Sequence, residues 1–267
     1  MSSNTPTELL YVIKIGGNIV DNPVLLTQCL KAFSSIQGKA ILVHGGGKMA
    51  TQLAKDLNIP QQMVEGRRIT DAETLKIVTM VYAGLINKNI VAQLQSFGAQ
   101  AMGLTGADAN LIKAHKRINA SIDYGYVGDV DEVNVSMISN LLQQNTSIVI
   151  APITHDGNGQ LLNTNADTIA QSIATAMSAK YAVHLIYGFE KEGVLLDINN
   201  PSSVIPQINK EKYQSLKEEN VIFEGMLPKI DNAFLALDKG VQSVMIGMAE
   251  KMNDLINGSA GTTITQS

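Results

Sequence analysis

Ile41-Leu42-Val43-His44-Gly45-Gly46-Gly47-Lys48 is an apolar run that ends in three glycines and a lysine. Residues 41–43 have the character of a buried strand, and residues 49–57 have helical spacing. The glycines therefore fall where a strand turns into a helix N-terminus. Without a Cβ, they let the backbone approach a ligand closely. The helix start adds free N–H groups and the positive end of a dipole, on the order of half a charge. That combination favours an anion. Tyr11-Val12-Ile13-Lys14-Ile15-Gly16-Gly17-Asn18 repeats the theme earlier in the chain, with a lysine inside the strand. Two anion-friendly strand ends point to a substrate carrying several negative charges.

Working outward, strands alternate with helices. Strands are expected at 9–15, 40–44, 99–104, 147–153, 182–186 and 243–246. Helices are expected at 23–36, 49–57, 71–97, 136–144, 166–177, 209–219, 226–238 and 250–255, with Asp21 or Asn22 capping the first and Gly38 stopping it. Residues 59–70 read as a polar loop containing Arg67 and Arg68. Residues 118–133 alternate and carry Gly125 and Gly128, which reads as a projecting β-hairpin. The alternation predicts an α/β fold with a mostly parallel central sheet covered on both faces. In the long segment 71–97, Ile77, Val81 and Leu85 fall on one side and Val78 and Ala92 on others, so cover beyond the chain's own sheet is expected, a partner subunit being the common solution.

The 267 residues suffice for one large domain or two fused lobes, with 45% hydrophobic and 16% charged residues and a net charge of −4. No basic block is present, so nucleic acid is not an expected partner. The single cysteine, Cys29, fits a reducing compartment and lies in an apolar helical pattern, as a buried residue would. The first ten residues lack the features of a signal peptide. No apolar stretch approaches the ~20 residues needed to span a bilayer. A cytoplasmic protein without a membrane partner is expected.

The GxxxxGK[ST] phosphate loop would need a glycine at 42 and a hydroxyl at 49, where the chain has Leu42 and Met49. Gly45 to Ala50 does fit GxGxxA, but in the second strand-helix unit and without the acid that should end the next strand, which disfavours a nicotinamide dehydrogenase. Lys14 in a buried strand either snorkels from an edge or places its ammonium at the strand's carboxyl end, where open α/β sheets bind ligands. In Asn163-Thr164-Asn165-Ala166-Asp167, Asn165 caps a helix and Asp167 suits its first turn. Lys229, after Pro228 in a first helical turn, opposes the dipole, as a residue retained for an anion would. His44, His115, His155 and His184 have no metal-ligand spacing and no pairing with Cys29.

Seven ordered motifs carry a resemblance that runs from Tyr11 to Thr263: IKIGGN (13–18), VHGGG (43–47), GRRITD (66–71), GLTGAD (103–108), YGYVGDV (124–130), NTNAD (163–167) and EGMLPKIDNA (224–233). Together they resemble the amino-acid kinase family, in the branch that phosphorylates acylated glutamate. GRRITD and NTNAD favour that branch over carbamate or aspartate kinases. The retained lysines and Asp167 argue against a non-catalytic amino-acid-binding regulator. The resemblance implies a three-layer sandwich, with an acylglutamate-binding lobe at 1–179 and an ATP-binding lobe at 180–267. The implied reaction is ATP-dependent phosphorylation of the γ-carboxylate of N-acetyl-L-glutamate, a step of arginine biosynthesis, with N-succinyl-L-glutamate as the alternative acceptor. Lys14, Lys229 and Asp167 are the implied catalytic residues, with Asp167 orienting both ammoniums. Gly17 and Gly46 would bind phosphoryl oxygens. Gly46, Gly47, Arg68 and Asn163 would bind the acylglutamate, under a lid at 125–130. Tyr187, Phe189, Gly193, Phe223 and Met226 are the implied nucleotide contacts. Magnesium would ride on ATP, with no metal site on the protein.

Two departures stand out. Lys48 occupies the place of a usual proline, and Tyr187 to Val194 lacks the usual aspartate of the nucleotide loop. In this family arginine inhibition accompanies an extra N-terminal helix that links dimers into hexamers. Only ten residues precede Tyr11 here, with Pro6 among them, so an arginine-insensitive homodimer is expected.

Overall fold

The computed structural model describes residues 8–64, 67–119, 121–197, 199–219, 221 and 226–266. In chain order the elements begin with β1 (Leu9–Ile15), α1 (Gly17–Val20), α2 (Pro23–Ser34), β2 (Lys39–His44), α3 (Gly47–Asp56), β3 (Gln62–Val64) and β4 (Arg67–Ile69). One continuous helix follows: α4 (Ala72–Thr79), a π-helical stretch (Met80–Ile86) and α5 (Asn87–Ser96). Next come β5 (Ala101–Leu104), β6 (Ile112–Lys116), β7 (Val127–Val133), α6 (Val135–Gln143), β8 (Ser147–Ile150), β9 (Ile153–His155) and β10 (Leu161–Thr164). The remainder is α7 (Ala166–Met177), β11 (Ala182–Phe189), β12 (Gln207–Ile208), α8 (Lys210–Glu218), α9 (Leu227–Asp238), β13 (Ser243–Met248), α10 (Met252–Ile256) and β14 (Thr262–Ile264).

Eight strands form one sheet in the order β12-β14-β13-β11-β1-β2-β8-β5, parallel except where β14 runs against β13. Its two faces carry separate cores, because successive side chains of a strand point to opposite faces. On β1, Leu10 and Val12 pack under α6, α7, α8 and α9, while Ile13 and Ile15 pack under α2, α3, the long helix and α10. Each buried aliphatic side chain contributes about 1.5–3 kcal/mol, and the central strands are sealed on both faces. This is the expected three-layer sandwich. Lys14 shares the face of Leu10 and Val12, so it points toward α7 and α9.

Several expectations need correction. Residues 59–70 are not simply a loop, since β3 and β4 pair antiparallel and Arg68 stands opposite Met63. Three-residue strands are too short for periodicity to reveal. The hairpin expected at 118–133 begins earlier, because β6 is the antiparallel partner of β7. Ile112 and Ala114 are its buried residues, while Ile118, at its expected start, is 89% exposed. Strands β6, β7, β9 and β10 close into a small ring beside the sheet, and β9 and β10 were not anticipated.

The long helix differs in a way that matters. Ile77 and Val81 are buried, but Leu85 is 53% exposed. The wider π turns shift the phase between α4 and α5, so the three do not share a side. Ala72–Ser96 is also, among the described residues, the one helix long and apolar enough to cross a membrane, with a window of mean hydropathy 1.2 of which 44% is buried in the fold. Its apolar residues are interleaved with polar ones, so counting unbroken runs overlooks it. It lies along the sheet against α2, α3 and β5.

Cys29 is buried in α2, and burial pushes its thiol up to about 12, so it is not a reactive thiolate. Asn22, not Asp21, caps α2. Residues 1–7, on which the expectation about arginine rests, lie outside the described residues.

Candidate active site

The site forms at the carboxyl ends of β1, β2 and β8. The two glycine turns meet there: the Gly45 N–H donates to the Ile15 carbonyl at 2.9 Å. A Cβ on Gly45 would sit 3.0 Å from the Gly17 nitrogen, a tight contact that a side chain could make only if the neighbouring turn gave way slightly, so glycine suits this approach. Gly46 is sealed behind by Tyr82 and Ile86 of the π-helical stretch. Its N–H and that of Gly47 begin α3, an anion-binding arrangement by backbone alone.

Three charged side chains converge beside this turn. Asp167 is the second residue of α7, whose start is fixed by the Asn165 side chain accepting from the Asp167 and Thr168 N–H groups. Lys14 Nζ lies 2.7 Å from Asp167 Oδ1, and Lys229 Nζ, in the first turn of α9, lies 3.2 Å from Oδ2. Asp167 thus bridges two ammoniums supplied by different halves of the chain. Burial pushes its carboxyl up, but Lys14 and Lys229 outweigh this and hold it below the usual aspartate range. The trio is only partly shielded, with Lys14 14%, Asp167 26% and Lys229 30% exposed. Two cations against one anion leave an excess positive charge within reach of a ligand.

A cleft of about 350 Å³ opens from the glycine turns, lined by Gly17, Gly46, Gly47, Arg68, Tyr82, Arg117 and Asn163 among others. Arg68 is buried at 8% exposure. It donates to the Gly47 carbonyl at 3.0 Å, to Thr51 Oγ1 at 2.9 Å and to the Gln61 side chain. No carboxylate pairs with it among the described residues, so a buried guanidinium faces the cleft with its charge uncompensated. A carboxylate is the natural complement. Asn163 on β10 donates to Thr70 Oγ1 at 3.0 Å. Its own N–H donates to the Tyr126 carbonyl at 2.8 Å, which ties the cleft wall to the segment leading into β7. Gly125 has φ +71° where it passes the Thr70 carbonyl, a conformation and an approach that suit glycine alone.

A family profile described as "Amino acid kinase family" matches residues 10–247. The chain belongs to the amino acid kinase family. Within the family, it is 57% identical to a protein named acetylglutamate kinase from Cytophaga hutchinsonii, over 93% of this chain and 94% of that one. It is 53% identical to the acetylglutamate kinase of Bacteroides fragilis, over 92% of this chain and 94% of that one. Among solved structures, N-acetylglutamate synthase from Neisseria gonorrhoeae, in complex with coenzyme A and N-acetyl-glutamate, superposes with a TM-score of 0.82 at 19% identity. That match covers 98% of this chain and 60% of the other, and it shows a shared fold.

The structure brings Lys14, Asp167 and Lys229 together, and Gly17, Gly46, Gly47, Arg68 and Asn163 around one cleft. It places Tyr187 differently from an exposed nucleotide contact: Tyr187 is 4% exposed in β11, opposite Lys14 in register. Burial, and Asp167 nearby, push its hydroxyl pKa up. Phe189 ends β11, where the neighbouring Glu190 accepts from the Asn18 side chain. Gly193 lies against Thr262 and Val204. Met226 caps α9. Phe223 lies outside the described residues.

Sequence reasoning missed Tyr82 and Arg117. Tyr82 resembled any apolar helix residue. Arg117 follows β6 and is paired with Asp129 of β7, its Nε 3.0 Å from Oδ1. The signal was an arginine closing the alternation Ile112 to Lys116, which went unread with that strand.

Proposed function

We propose that this chain transfers the γ-phosphoryl group of ATP to the γ-carboxylate of N-acetyl-L-glutamate, giving ADP and an acyl phosphate. Family membership and the names of its relatives support this reading. The observation that carries it at the site is the Asp167 bridge between Lys14 and Lys229 beside the Gly45–Gly47 turn.

The acceptor is a carboxylate with an ordinary pKa of about 4.3, so it is already a nucleophile at neutral pH. No general base is required, and the chain's task is alignment and charge. Arg68 and Asn163 hold the acylglutamate, the guanidinium taking its α-carboxylate as a forked donor. The γ-carboxylate oxygen attacks the terminal phosphorus, and the bond from that phosphorus to the bridging oxygen of ADP breaks. Lys14, Lys229 and the N–H groups of Gly17 and Gly46 receive the negative charge spread over the transferring group. Asp167 keeps the two ammoniums in place between turnovers.

Magnesium belongs to the ATP substrate. Among the described residues no group of three or more His, Cys, Asp or Glu side chains could hold a metal ion. In this reading residues 1–179 bind the acylglutamate and 180–267 the nucleotide, on the single eight-stranded sheet. Phe189, Gly193 and Met226 border the nucleotide, and Tyr187 stands beside Lys14 in register. Residues 125–130 cover the acylglutamate. The protein works in the cytoplasm.

A coupled ADP-release assay with acetylglutamate, succinylglutamate, glutamate, aspartate and carbamate tests the reading. Turnover is expected with acetylglutamate. Turnover with free glutamate or aspartate and none with either acylglutamate would sink it.

A further inference from the structure

His44 is completely buried, yet it is next to the glycine turn and nothing in the mechanism above uses it. It shares the face of β2 that carries Leu42, so it lies under α5 and away from the lysine pair. Its two ring nitrogens have different partners. Nδ1 is 2.8 Å from the Gly45 carbonyl, and Nε2 is 3.4 Å from Asn87 Nδ2.

Asn87 decides which nitrogen carries the proton. Its Nδ2 donates to the Val149 carbonyl at 3.0 Å, and its Oδ1 accepts from Lys88 Nζ at 3.0 Å. Lys88 also donates to the Gly103 carbonyl at 2.8 Å. A side chain at 103 would collide with the Asn87 amide, so Gly103 leaves room for it. Flipping the amide would set two carbonyls face to face and two donors face to face. The amide is therefore fixed, its second N–H points at Nε2, and Nε2 must accept. The proton then sits on Nδ1, which donates to the Gly45 carbonyl. Burial, with Lys88 adding to it against the Gly45 hydrogen bond, lowers the pKa of His44 to about 4, so the ring is neutral at physiological pH.

In a planar trans peptide the carbonyl and the following N–H point in opposite directions. Gripping the Gly45 carbonyl from behind turns the Gly46 N–H toward the cleft that Gly46 lines. We infer that His44, locked in one tautomer by Asn87, is a positioning residue that aims the Gly46 N–H at the transferring phosphoryl group. The inference rests on the reading that Gly46 donates to a phosphoryl oxygen.

Imidazole nitrogen NMR on the full-length protein at neutral pH is expected to find Nδ1 protonated and Nε2 bare. An Nε2-protonated ring or an imidazolium would overturn the inference. Kinetics supply the second arm. In His44→Asn the amide nitrogen takes the place of Nδ1, and kcat is expected to stay within about 5-fold of wild type. His44→Leu is expected to lose roughly 10²-fold in kcat, the scale of one preorganised donor, with little change in KM for acetylglutamate. Should His44→Leu fail to fold, His44→Gln replaces it, because its amide reaches the Nε2 position and is expected to fall well below His44→Asn. Equal kcat among these variants, or a loss confined to KM, would overturn the inference. A wild type inactive on acylglutamates would overturn the functional reading along with it, whereas an active wild type indifferent to residue 44 would overturn this inference alone.

Discussion

Lys14 and Lys229 meet the same carboxylate from a strand end and a helix start, and each is shielded enough for its charge to count. Removing either leaves Asp167 with one cation and, in the proposed mechanism, the phosphoryl group with one donor fewer. Lys14→Ala or Lys229→Ala is expected to lower kcat by roughly 10²-fold or more, measured by ADP release at saturating substrates. Near-normal kcat in Lys14→Ala would mean that its ammonium does not reach the reacting group. Arg68→Ala is expected instead to raise KM for acetylglutamate most, because in the proposed reading Arg68 grips the acceptor's α-carboxylate. His44 gives a pH signature of its own. Its folded pKa of about 4 lies below the ordinary histidine value, so the unfolded chain binds the extra proton first. Stability is full above about pH 6.5 and declines as pH falls toward 4, by on the order of 3 kcal/mol from this group. Denaturant unfolding at a series of pH values should show that slope, and His44→Asn should remove it. Lys14 was legible in the sequence because a lysine in an apolar strand is an anomaly. Arg117 was not, because its meaning depends on Asp129 across a strand pair whose register no local pattern fixes.

At the scale of elements, the readable parts were those with strong local chemistry. Helix α7 begins where Asn165 caps it and runs as expected, 166–177. Strand β1 also matches, its residues being apolar on both faces because both faces are covered. In the ring beside the sheet, β7 lay within the expected hairpin, whereas β9 and β10 were hidden because they are three and four residues long. Gly128 shows how tightly that ring is closed: a Cβ there would lie 2.6 Å from Thr164 Oγ1 and 3.0 Å from both Leu162 Cβ and Thr154 Oγ1. Gly128→Ala is expected to destabilise by about 1–3 kcal/mol through overpacking, read from the urea midpoint. An unchanged midpoint would show that the ring yields more easily than its packing implies. The π-helical stretch was illegible for a different reason. Its residues have ordinary helical preferences, and its Tyr82 and Ile86 meet Gly46, a contact distant in sequence.

For the whole molecule, the class of fold followed from alternating strands and helices, whereas the strand order did not. That β11 returns to lie beside β1 is a long-range pairing, and it is what carries Lys229 from the second half of the chain toward Asp167. The long helix covers one face of the sheet but leaves Met80 and Leu85 each 53% exposed. Such apolar residues on one helix suit a symmetric contact, and we expect a homodimer. Sedimentation should report a dimer for the wild type and a monomer for Leu85→Arg; a monomeric wild type would refute this. In the proposed reaction a carboxylate receives the phosphoryl group between Lys14 and Lys229. An acyl phosphate reacts with hydroxylamine to give a hydroxamate, so trapping the product distinguishes this reaction from plain hydrolysis of ATP. With ATP and acetylglutamate, hydroxamate should form in step with ADP in the wild type, and both should fall together in Lys229→Ala; ADP released without hydroxamate would contradict it.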